Sequence, residues 1–289
     1  MTLEEVRKEI DKVDSQIKKL FSERMELAEN VAKVKAETGD VILKPEREEI
    51  IISNLTEDVK PSIVKEYTAL IKRIMEISRK YQYGITLDLR NCLNVNYLTE
   101  DVPVSTIAMV KPELYICNMY SKDKVLTVDT YNEIGDMISS NKVDAGVGIL
   151  EDISVGVSDE LHHTLTKFDL FINRCDVISE NNKKKKVVSF SKNLIVKDDH
   201  NRLKLMFVCK NKSGSLSSIL SMISDYAVNL TEIHSRPNME KHWNYEFFVE
   251  LDANLNQKEI QALVYQLMNE TEVFKILGSY KCISVRLTA

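Results

Sequence analysis

A heptad repeat of apolar residues at the start of the chain limits what this segment can fold into. Nine of its ten positions are aliphatic: Leu3, Val6, Ile10, Val13, Ile17, Leu20, Leu27, Val31 and Val34. Such a stripe predicts one long amphipathic helix, from about residue 2 to residue 37, that ends where Gly39 can adopt a left-handed cap. At about 1.5 Å per residue this helix is roughly 50 Å long, too long for a compact single chain to cover.

The tenth position of the repeat holds Arg24, whose guanidinium cannot lose its proton. A buried guanidinium without an anion costs several kcal/mol, so its place in an apolar stripe needs an explanation. Lys35 follows on the same helix and projects within about 20° of Arg24. A small dianion held in a dry pocket would neutralise both cations. The alternatives are that Arg24 reaches out to solvent or pairs with Glu48 inside a dimer core.

Two further helices are predicted to begin at prolines, Pro45 in "PEREEIIISNL" and Pro61 in "PSIVKEYTALIKRIMEISRKYQ". Beside the apolar stripes of these two helices lie four more polar residues: Arg47, Glu48, Ser78 and Gln82. Taken singly, each of these residues is an ordinary surface residue of a helix. Their joint placement with Arg24 and Lys35 favours a site for a small dianionic ligand.

Arg7 precedes Arg24 by seventeen residues and points about 100° away from it. If Arg7 contributes to the same pocket, a second copy of the helix therefore supplies it.

The rest of the chain has a different pattern. From Gly84, short β-branched runs alternate with helical stretches up to about residue 198, which predicts an α/β segment. The run Lys183 to Lys186 in this segment is interpreted as a solvated loop. The remaining residues predict strands and helices in the order βαββαβ, which is the order of the ferredoxin-like fold. The predicted domains are therefore residues 1–83, 84–198 and 199–289.

Composition excludes several classes of function. The net charge of -5 gives no basic field for nucleic acid, and no apolar run is long enough to span a bilayer. The amino terminus has no apolar signal segment, and the five cysteines are spaced unlike a disulfide framework or a zinc site. We therefore expect a cytoplasmic protein with no metal and no cofactor.

Residues 3–82 resemble the all-helical chorismate mutase domain found at the amino end of bifunctional chorismate mutase–prephenate dehydratases. The resemblance rests on "VRKEIDKVDSQIKKLFSERMELAENVAKVK", "EREEII" and "SRKYQ". The catalytic pattern of that family falls on Arg7, Arg24, Lys35, Arg47, Glu48, Ser78 and Gln82. The resemblance implies three helices in an intertwined homodimer, or a dimer of dimers, with chorismate as substrate and prephenate as product.

The resemblance also implies a role for each residue. Arg24 and the partner subunit's Arg7 would hold the two carboxylates of chorismate. Lys35 and Gln82 would donate to its ether oxygen, and Glu48 would accept from its ring hydroxyl. Arg47 and Ser78 would support the pocket. One departure is Lys44, which stands where some members carry an aspartate.

Residues 84–198 resemble one lobe of the two-lobed, periplasmic-binding-like dehydratase of that family, in degenerate form. In "GILEDISVG", Glu151 and Gly156 match the family pattern, whereas three positions differ: Ile149, Asp152 and Ile153. The catalytic Thr-Arg-Phe motif is replaced by Ser191, Lys192 and Asn193, and the second lobe is missing. A cleft needs two walls to exclude water, so we expect no dehydratase activity. The adjacent His162 and His163 are interpreted as exposed or helix-capping residues.

Residues 202–283 resemble the ACT domain of prephenate dehydratases, which binds phenylalanine at a dimer interface. The positions that match its ligand-binding motifs are Gly214, Ser215, Leu216, His234, Ser235, Arg236 and Pro237. His234 replaces a glutamate of the family motif, and a possible partner for a ligand's ammonium group is lost with it. An ACT fold that only dimerises is the alternative.

The sequence therefore predicts a homodimeric chorismate mutase with a degenerate dehydratase lobe and an ACT domain for feedback by phenylalanine. One alternative is a non-catalytic amino-acid sensor whose helical domain only dimerises. The other is a complete bifunctional mutase–dehydratase.

Overall fold

The structure is a computed structural model that describes residues 1–119, 124–180, 183–237 and 245–286. The chain divides into two compact units. The first unit comprises Met1–Leu93 and Ala262–Glu270, and the second comprises Asn94–Gln261 and Thr271–Ala289. Among the described residues, no helix combines the length and the apolar character that a bilayer crossing requires.

Three helices form most of the first unit. The longest, α1 (Leu3–Thr38), begins with a capping box in which Thr2 Oγ1 accepts from the Glu5 N–H and the Glu5 side chain accepts from the Thr2 N–H. It ends at Gly39, whose φ of 76° is left-handed and whose N–H donates to Lys35 O. The long helix and its glycine cap, both predicted from the heptad repeat, are confirmed.

The second helix, α2 (Pro45–Thr56), begins at the predicted proline, whereas the third differs from its prediction. Helix α3 (Val64–Arg90) starts after a turn at 61–63 and continues through Gly84, where a change of structure was expected. Gly84 costs about 1 kcal/mol within a helix. Buried neighbours on the same helix, Tyr83 and Leu87, outweigh that cost.

The apolar stripe of α1 is largely uncovered within one chain. Its nine aliphatic residues are between 37% and 67% exposed, and the buried residues of α1 are Ala28 and Ala32. Helix α1 packs against α3 along this alanine face. A single chain therefore leaves most of this apolar stripe exposed to water.

The second unit is built around one sheet, and helices lie between several of its strands along the chain. Its strands are β1 (Thr106–Val110), β2 (Lys124–Val128), β3 (Ala145–Asp152), β4 (Gly156–Val157), β5 (Phe171–Glu180), β6 (Lys183–Ser191), β7 (Arg202–Val208), β8 (Leu230–Pro237), β9 (Tyr245–Leu251), β10 (Val273–Tyr280) and β11 (Cys282–Arg286). Its helices are a 3₁₀ helix (Lys111–Met119), α4 (Tyr131–Ser139), α5 (Asp159–Lys167), α6 (Ser215–Asp225) and the first turn of α7 (Lys258–Glu270).

The strands follow the order β2-β1-β3-β6-β5-β10-β7-β9-β8, with β4 beside β3 and β11 beside β5. Strands β1, β2 and β3 are parallel, as in an α/β segment. Strands β7 to β10 carry the predicted βαββαβ order and pair as β10-β7-β9-β8, all antiparallel. The sheet continues from β5 into β10 through the pair Ile172 and Gly278. The domain boundaries at 83/84 and 198/199 remain predictions.

Two interpretations from the sequence were wrong, and the first concerns the lysine run. Lys183 to Lys186 lie on β6, between β3 and β5, and not in a loop. Lys185 Nζ lies 3.2 Å from Asp152 Oδ2, and Lys186 Nζ lies 2.8 Å from Glu232 Oε2. These acidic partners come from strands distant in sequence, so composition alone could not identify a strand here.

The second concerns His162, which is fully buried in α5 instead of exposed. Its Nδ1 lies 2.8 Å from Ser158 O, and its ring centroid lies 4.5 Å from that of His234 and 4.8 Å from that of Phe248. Burial, together with the nearby Lys204, lowers the pKa of His162 well below that of a free imidazole. His162 is therefore a neutral core residue.

Candidate active site

A cavity of about 500 Å³ lies among α1, α2 and α3 in the first unit. Six of the seven predicted catalytic residues line it: Arg24, Lys35, Arg47, Glu48, Ser78 and Gln82. Apolar side chains complete the wall: Val31, Ile42, Ile51 and Met75. The structure thus brings together residues that the sequence separates by almost sixty positions.

The charges on this cavity are strongly unbalanced. Its cations are Arg24, Lys35, Lys44, Arg47 and Arg79, whereas its carboxylate is Glu48. Clefts lined by one sign of charge and low-dielectric walls concentrate the field and attract ions of the opposite sign. The cavity therefore suits a small ligand with more than one negative charge.

Arg24 faces this cavity from the middle of α1. Its Nη1 is buried and has no hydrogen-bond partner among the described residues. Burial lowers the pKa of Arg24, and the carboxylate of Glu48 partly offsets the shift. A buried, unpaired guanidinium N–H is costly, so an incoming carboxylate would meet a donor that has already lost its water.

Lys35 lies on the last turns of the same helix. Its Nζ donates to Ile42 O at 2.8 Å, which directs the ammonium towards the cavity wall. Burial lowers the pKa of Lys35, while Asp40 acts in the opposite direction. Arg47, in contrast, is exposed at the start of α2 and forms part of the rim.

Helix α3 contributes the buried side of the cavity. Ser78, Arg79 and Gln82 are each less than 9% exposed, and Gln82 Oε1 has no partner among the described residues. Arg79 was not predicted, because an arginine beside Ser78 resembles any solvent-facing helix charge. It donates from Nη1 to Glu48 Oε1 at 2.5 Å and from Nε to Glu270 Oε1 at 2.9 Å. No local pattern in the sequence indicates these partners.

Arg7 is the predicted catalytic residue that does not line the cavity. It is exposed on α1, about 25 Å along the helix axis from Arg24. Within one chain the two guanidinium groups therefore cannot bind the same small ligand.

The residues predicted to bind an effector form two groups in the second unit. Gly214, with a φ of 87°, is the exposed N-cap of α6, and the half-buried Ser215 and Leu216 follow it. On β8, the side chains of His234 and Arg236 are mostly buried, whereas Ser235 and Pro237 are exposed.

Arg236 is already engaged by other side chains. It lies 2.6 Å from Glu246 Oε2, and its Nη2 lies 3.2 Å from His163 Nδ1. A ligand carboxylate at Arg236 would therefore have to displace or share these partners.

At the segment that the sequence compares with the dehydratase motif, Ser191 is buried and its Oγ accepts from Asn173 Nδ2 at 2.8 Å. Lys192 donates to Asn141, and Glu151 pairs with Lys186 at 3.3 Å. These polar groups are thus bound to the protein itself.

One group in the described part of the chain has the composition of a metal site. Donor atoms of His162, Glu232 and His234 lie within 4.8 Å of one another. However, Lys186 and Lys204 both bond to the carboxylate of Glu232. A cation at this point would lie beside two ammonium groups, so we assign no metal to it.

The helical unit thus offers an anionic ligand a cavity with five cations and one carboxylate among its lining residues. Residues 6–83 match the family described as chorismate mutase type II, so the first unit contains a chorismate mutase domain, the domain of an isomerase.

Two relatives show how far the similarity extends. The chain is 22% identical to a bifunctional chorismate mutase/prephenate dehydratase of Aquifex aeolicus, over 96% of this chain and 97% of the relative. That alignment has 353 positions, more than the 289 residues of this chain, so the relative carries residues that have no counterpart here. A chorismate mutase of Methanocaldococcus jannaschii is 42% identical over 64 residues, which are 22% of this chain and 65% of the relative.

Solved structures support the fold of the sheet-containing part. The prephenate dehydratase of Streptococcus mutans has a TM-score of 0.54 and 19% identity, and the match covers 62% of this chain and 98% of that one. The prephenate dehydratase of Arthrobacter aurescens, in complex with L-Phe, has a TM-score of 0.51 and 12% identity, with 61% and 90% covered. The carboxy-terminal part is therefore a mixed α/β domain that resembles prephenate dehydratase.

The unpaired guanidinium generates a prediction about stability. Replacing Arg24 with methionine keeps an unbranched, flexible side chain and removes a partly desolvated charge, so we expect the ligand-free protein to gain about 1 kcal/mol. Thermal denaturation followed by circular dichroism measures the change. Lys18→Met, at an exposed position of the same helix outside the apolar stripe, is the matched control and should leave the melting temperature unchanged. A loss of stability in Arg24→Met alone would mean that Arg24 is paired in the resting protein.

Proposed function

We propose that this protein is a homodimeric chorismate mutase that converts chorismate to prephenate by a Claisen rearrangement. We further propose that it has no dehydratase activity and that an ACT domain binds phenylalanine as an effector. The observation that carries the proposal is the cavity with the unpaired Arg24 and a large excess of positive charge. The similarity of residues 6–83 to chorismate mutases supports it.

The reaction makes limited demands on a protein. It needs no nucleophile and no proton transfer, so catalysis can come from holding the substrate in its reactive conformation. Fixed donors at the ether oxygen stabilise the negative charge that develops as the C–O bond breaks. The cavity offers cations and the amide of Gln82 for both tasks, and four apolar side chains form the rest of its wall.

We assign the roles as follows. Arg24 and the partner subunit's Arg7 bind the two carboxylates, because arginine holds a carboxylate through two hydrogen bonds. Lys35 and Gln82 donate to the ether oxygen. Glu48 accepts from the ring hydroxyl, while Arg47 and Ser78 support the walls.

Two observations support a homodimer. The aliphatic stripe of α1 is exposed within one chain and would be covered by a second copy. Arg7 lies on the same helix as Arg24 but far from its cavity, so only another chain could bring an equivalent Arg7 to it. Two such dimers could associate further into a dimer of dimers.

Three observations support the absence of dehydratase activity. The alignment with the Aquifex relative requires positions that this chain lacks. The hydroxyl of Ser191 is bound to Asn173, and Lys192 and Asn193 replace the other two residues of the catalytic motif. The name of that relative nevertheless makes the complete bifunctional enzyme the second candidate function.

The effector proposal rests on the βαββαβ arrangement, on the start of α6 at Gly214, which no described side chain caps, and on the L-Phe complex of the Arthrobacter structure. In this proposal residues 1–83 are the mutase domain, 84–198 the degenerate lobe and 199–289 the ACT domain. Backbone N–H groups at the start of α6 would bind the carboxylate of the amino acid. Ser215, Leu216 and the segment His234 to Pro237 would complete the site.

The first test is the product formed from chorismate by the purified protein. We expect prephenate and no phenylpyruvate. Lys35→Ala should lower kcat about a hundredfold, because one donor to a developing oxyanion contributes about 3 kcal/mol. Lys33→Ala, an exposed lysine on the same helix, should retain full activity. Phenylpyruvate would establish the bifunctional enzyme, and unchanged chorismate would leave a sensor without mutase activity.

Mixing two inactive variants tests whether the site is shared between subunits. Arg7→Ala and Arg24→Ala should each be inactive alone. After the two variants are unfolded and refolded together, random dimers should recover about a quarter of the wild-type activity, because each heterodimer contains one intact site. If each chain supplied its own Arg7, the mixture would stay inactive.

Phenylalanine binding is tested by thermal denaturation. A ligand that binds the folded state raises the melting temperature, so millimolar L-phenylalanine should increase it. The enantiomer D-phenylalanine is the control and should have little effect. No shift, or the same shift with both enantiomers, would leave the carboxy-terminal fold as a dimerisation domain.

A further inference from the structure

Arg79 connects the candidate active site to the far end of the chain. It lies on α3, between the carboxylates of Glu48 and Glu270, with its side chain 9% exposed. Nη1 donates to Glu48 and Nε donates to Glu270, so the two bonds leave the guanidinium by different nitrogens. Such a bridge holds the planar group in one orientation.

The bond to Glu48 affects the cavity directly. Glu48 is the carboxylate among the lining residues, and its Oε1 is occupied by Arg79, which leaves Oε2 for another donor. A carboxylate that accepts from a substrate hydroxyl must be correctly oriented. The bond from Arg79 holds the carboxylate of Glu48 in one orientation.

Glu270 is held in turn by its own helix. Its side chain is 6% exposed, and its Oε1 also accepts from Gln266 Nε2 at 3.1 Å. Tyr265 of the same helix packs edge-on against Tyr83, with ring centroids 5.6 Å apart. The last nine residues of α7 thus belong to the first unit and pack on α3 independently of the ion pair.

Burial makes the bridge sensitive to the loss of either carboxylate. Although desolvation opposes it, Glu270 and then Glu48 raise the pKa of Arg79, so the guanidinium stays charged. Removing one partner of a buried charge leaves the other poorly compensated.

We infer that Arg79 is a positioning residue for the mutase reaction and that Glu270, 191 residues further along the chain, holds it in place. This inference rests on the proposed function, because it acts through the role assigned to Glu48. The family match ends at residue 83. The segment that supports the site from α7 therefore lies well outside the part of the chain that resembles chorismate mutases.

The full-length protein carrying Glu270→Gln tests the inference. This change keeps the size of the side chain and removes its charge. We expect kcat to fall about tenfold with little change in KM, because a misplaced positioning group weakens binding of the transition state more than binding of the substrate. Glu259→Gln, at an exposed position of the same helix, is the matched control and should retain full activity.

A double-mutant cycle shows whether Glu270 acts through Arg79. In the Arg79→Gln background, adding Glu270→Gln should cause no further loss of kcat/KM. Arg79→Gln alone should lower kcat about tenfold with little change in KM, because Glu48 loses the donor that fixes its orientation. Arg79→Lys keeps the charge but loses the two separate N–H donors, so it should leave kcat low while KM and the melting temperature stay close to wild type, which separates catalytic positioning from a general loss of folding.

Each outcome has one meaning. A wild-type protein that leaves chorismate unchanged would overturn the proposed function itself. An active wild-type enzyme with fully active Glu270→Gln, or with additive losses in the double variant, would overturn only the inference about Arg79 and Glu270.

Discussion

The balance between desolvation and charge in the helical unit determines what this protein can bind. Arg24 and Lys35 are partly buried on α1, and this burial lowers the pKa of both groups. Within the cavity they are opposed by the carboxylate of Glu48, which is itself bonded to Arg79. The protein therefore holds positive charge at a cost in stability, which Glu48 offsets in part and an entering anion would offset further. The proposed substrate, a dicarboxylate, has the required charge.

The helices and the main cations of the cavity were predictable because they follow from local periodicity. The heptad repeat defines α1, and the cap at Gly39 ends it. The rotation between Arg24 and Lys35 follows from helix geometry. The other four cavity residues were found beside the apolar stripes of α2 and α3, and their catalytic roles came from the family resemblance. Arg79 was missed because its significance lies in contacts with Glu48 and Glu270, which no spacing along the helix indicates. Gly84 was misread because its helical state depends on the burial of its neighbours.

In the second unit, the order of the elements was predictable, but their surroundings were not. The strands from β7 to β10 followed from alternation and length. In contrast, Lys185 and Lys186 look like a solvated run until β6 brings them to acidic partners on other strands. His162 looks like a surface residue until α5 packs it against His234 and Phe248. In each case, contacts with elements distant in the sequence determined whether a polar side chain is buried and which residues it contacts.

The uncovered aliphatic stripe of α1 has a consequence for the amount of active protein. If the second copy that covers it also supplies Arg7, formation of the working site is second order in chain concentration. In dilute solution, doubling the number of chains would then nearly quadruple the number of sites, and activity per chain would fall on dilution. Synthesis of the chain would thus control the reaction more steeply than in proportion to its amount.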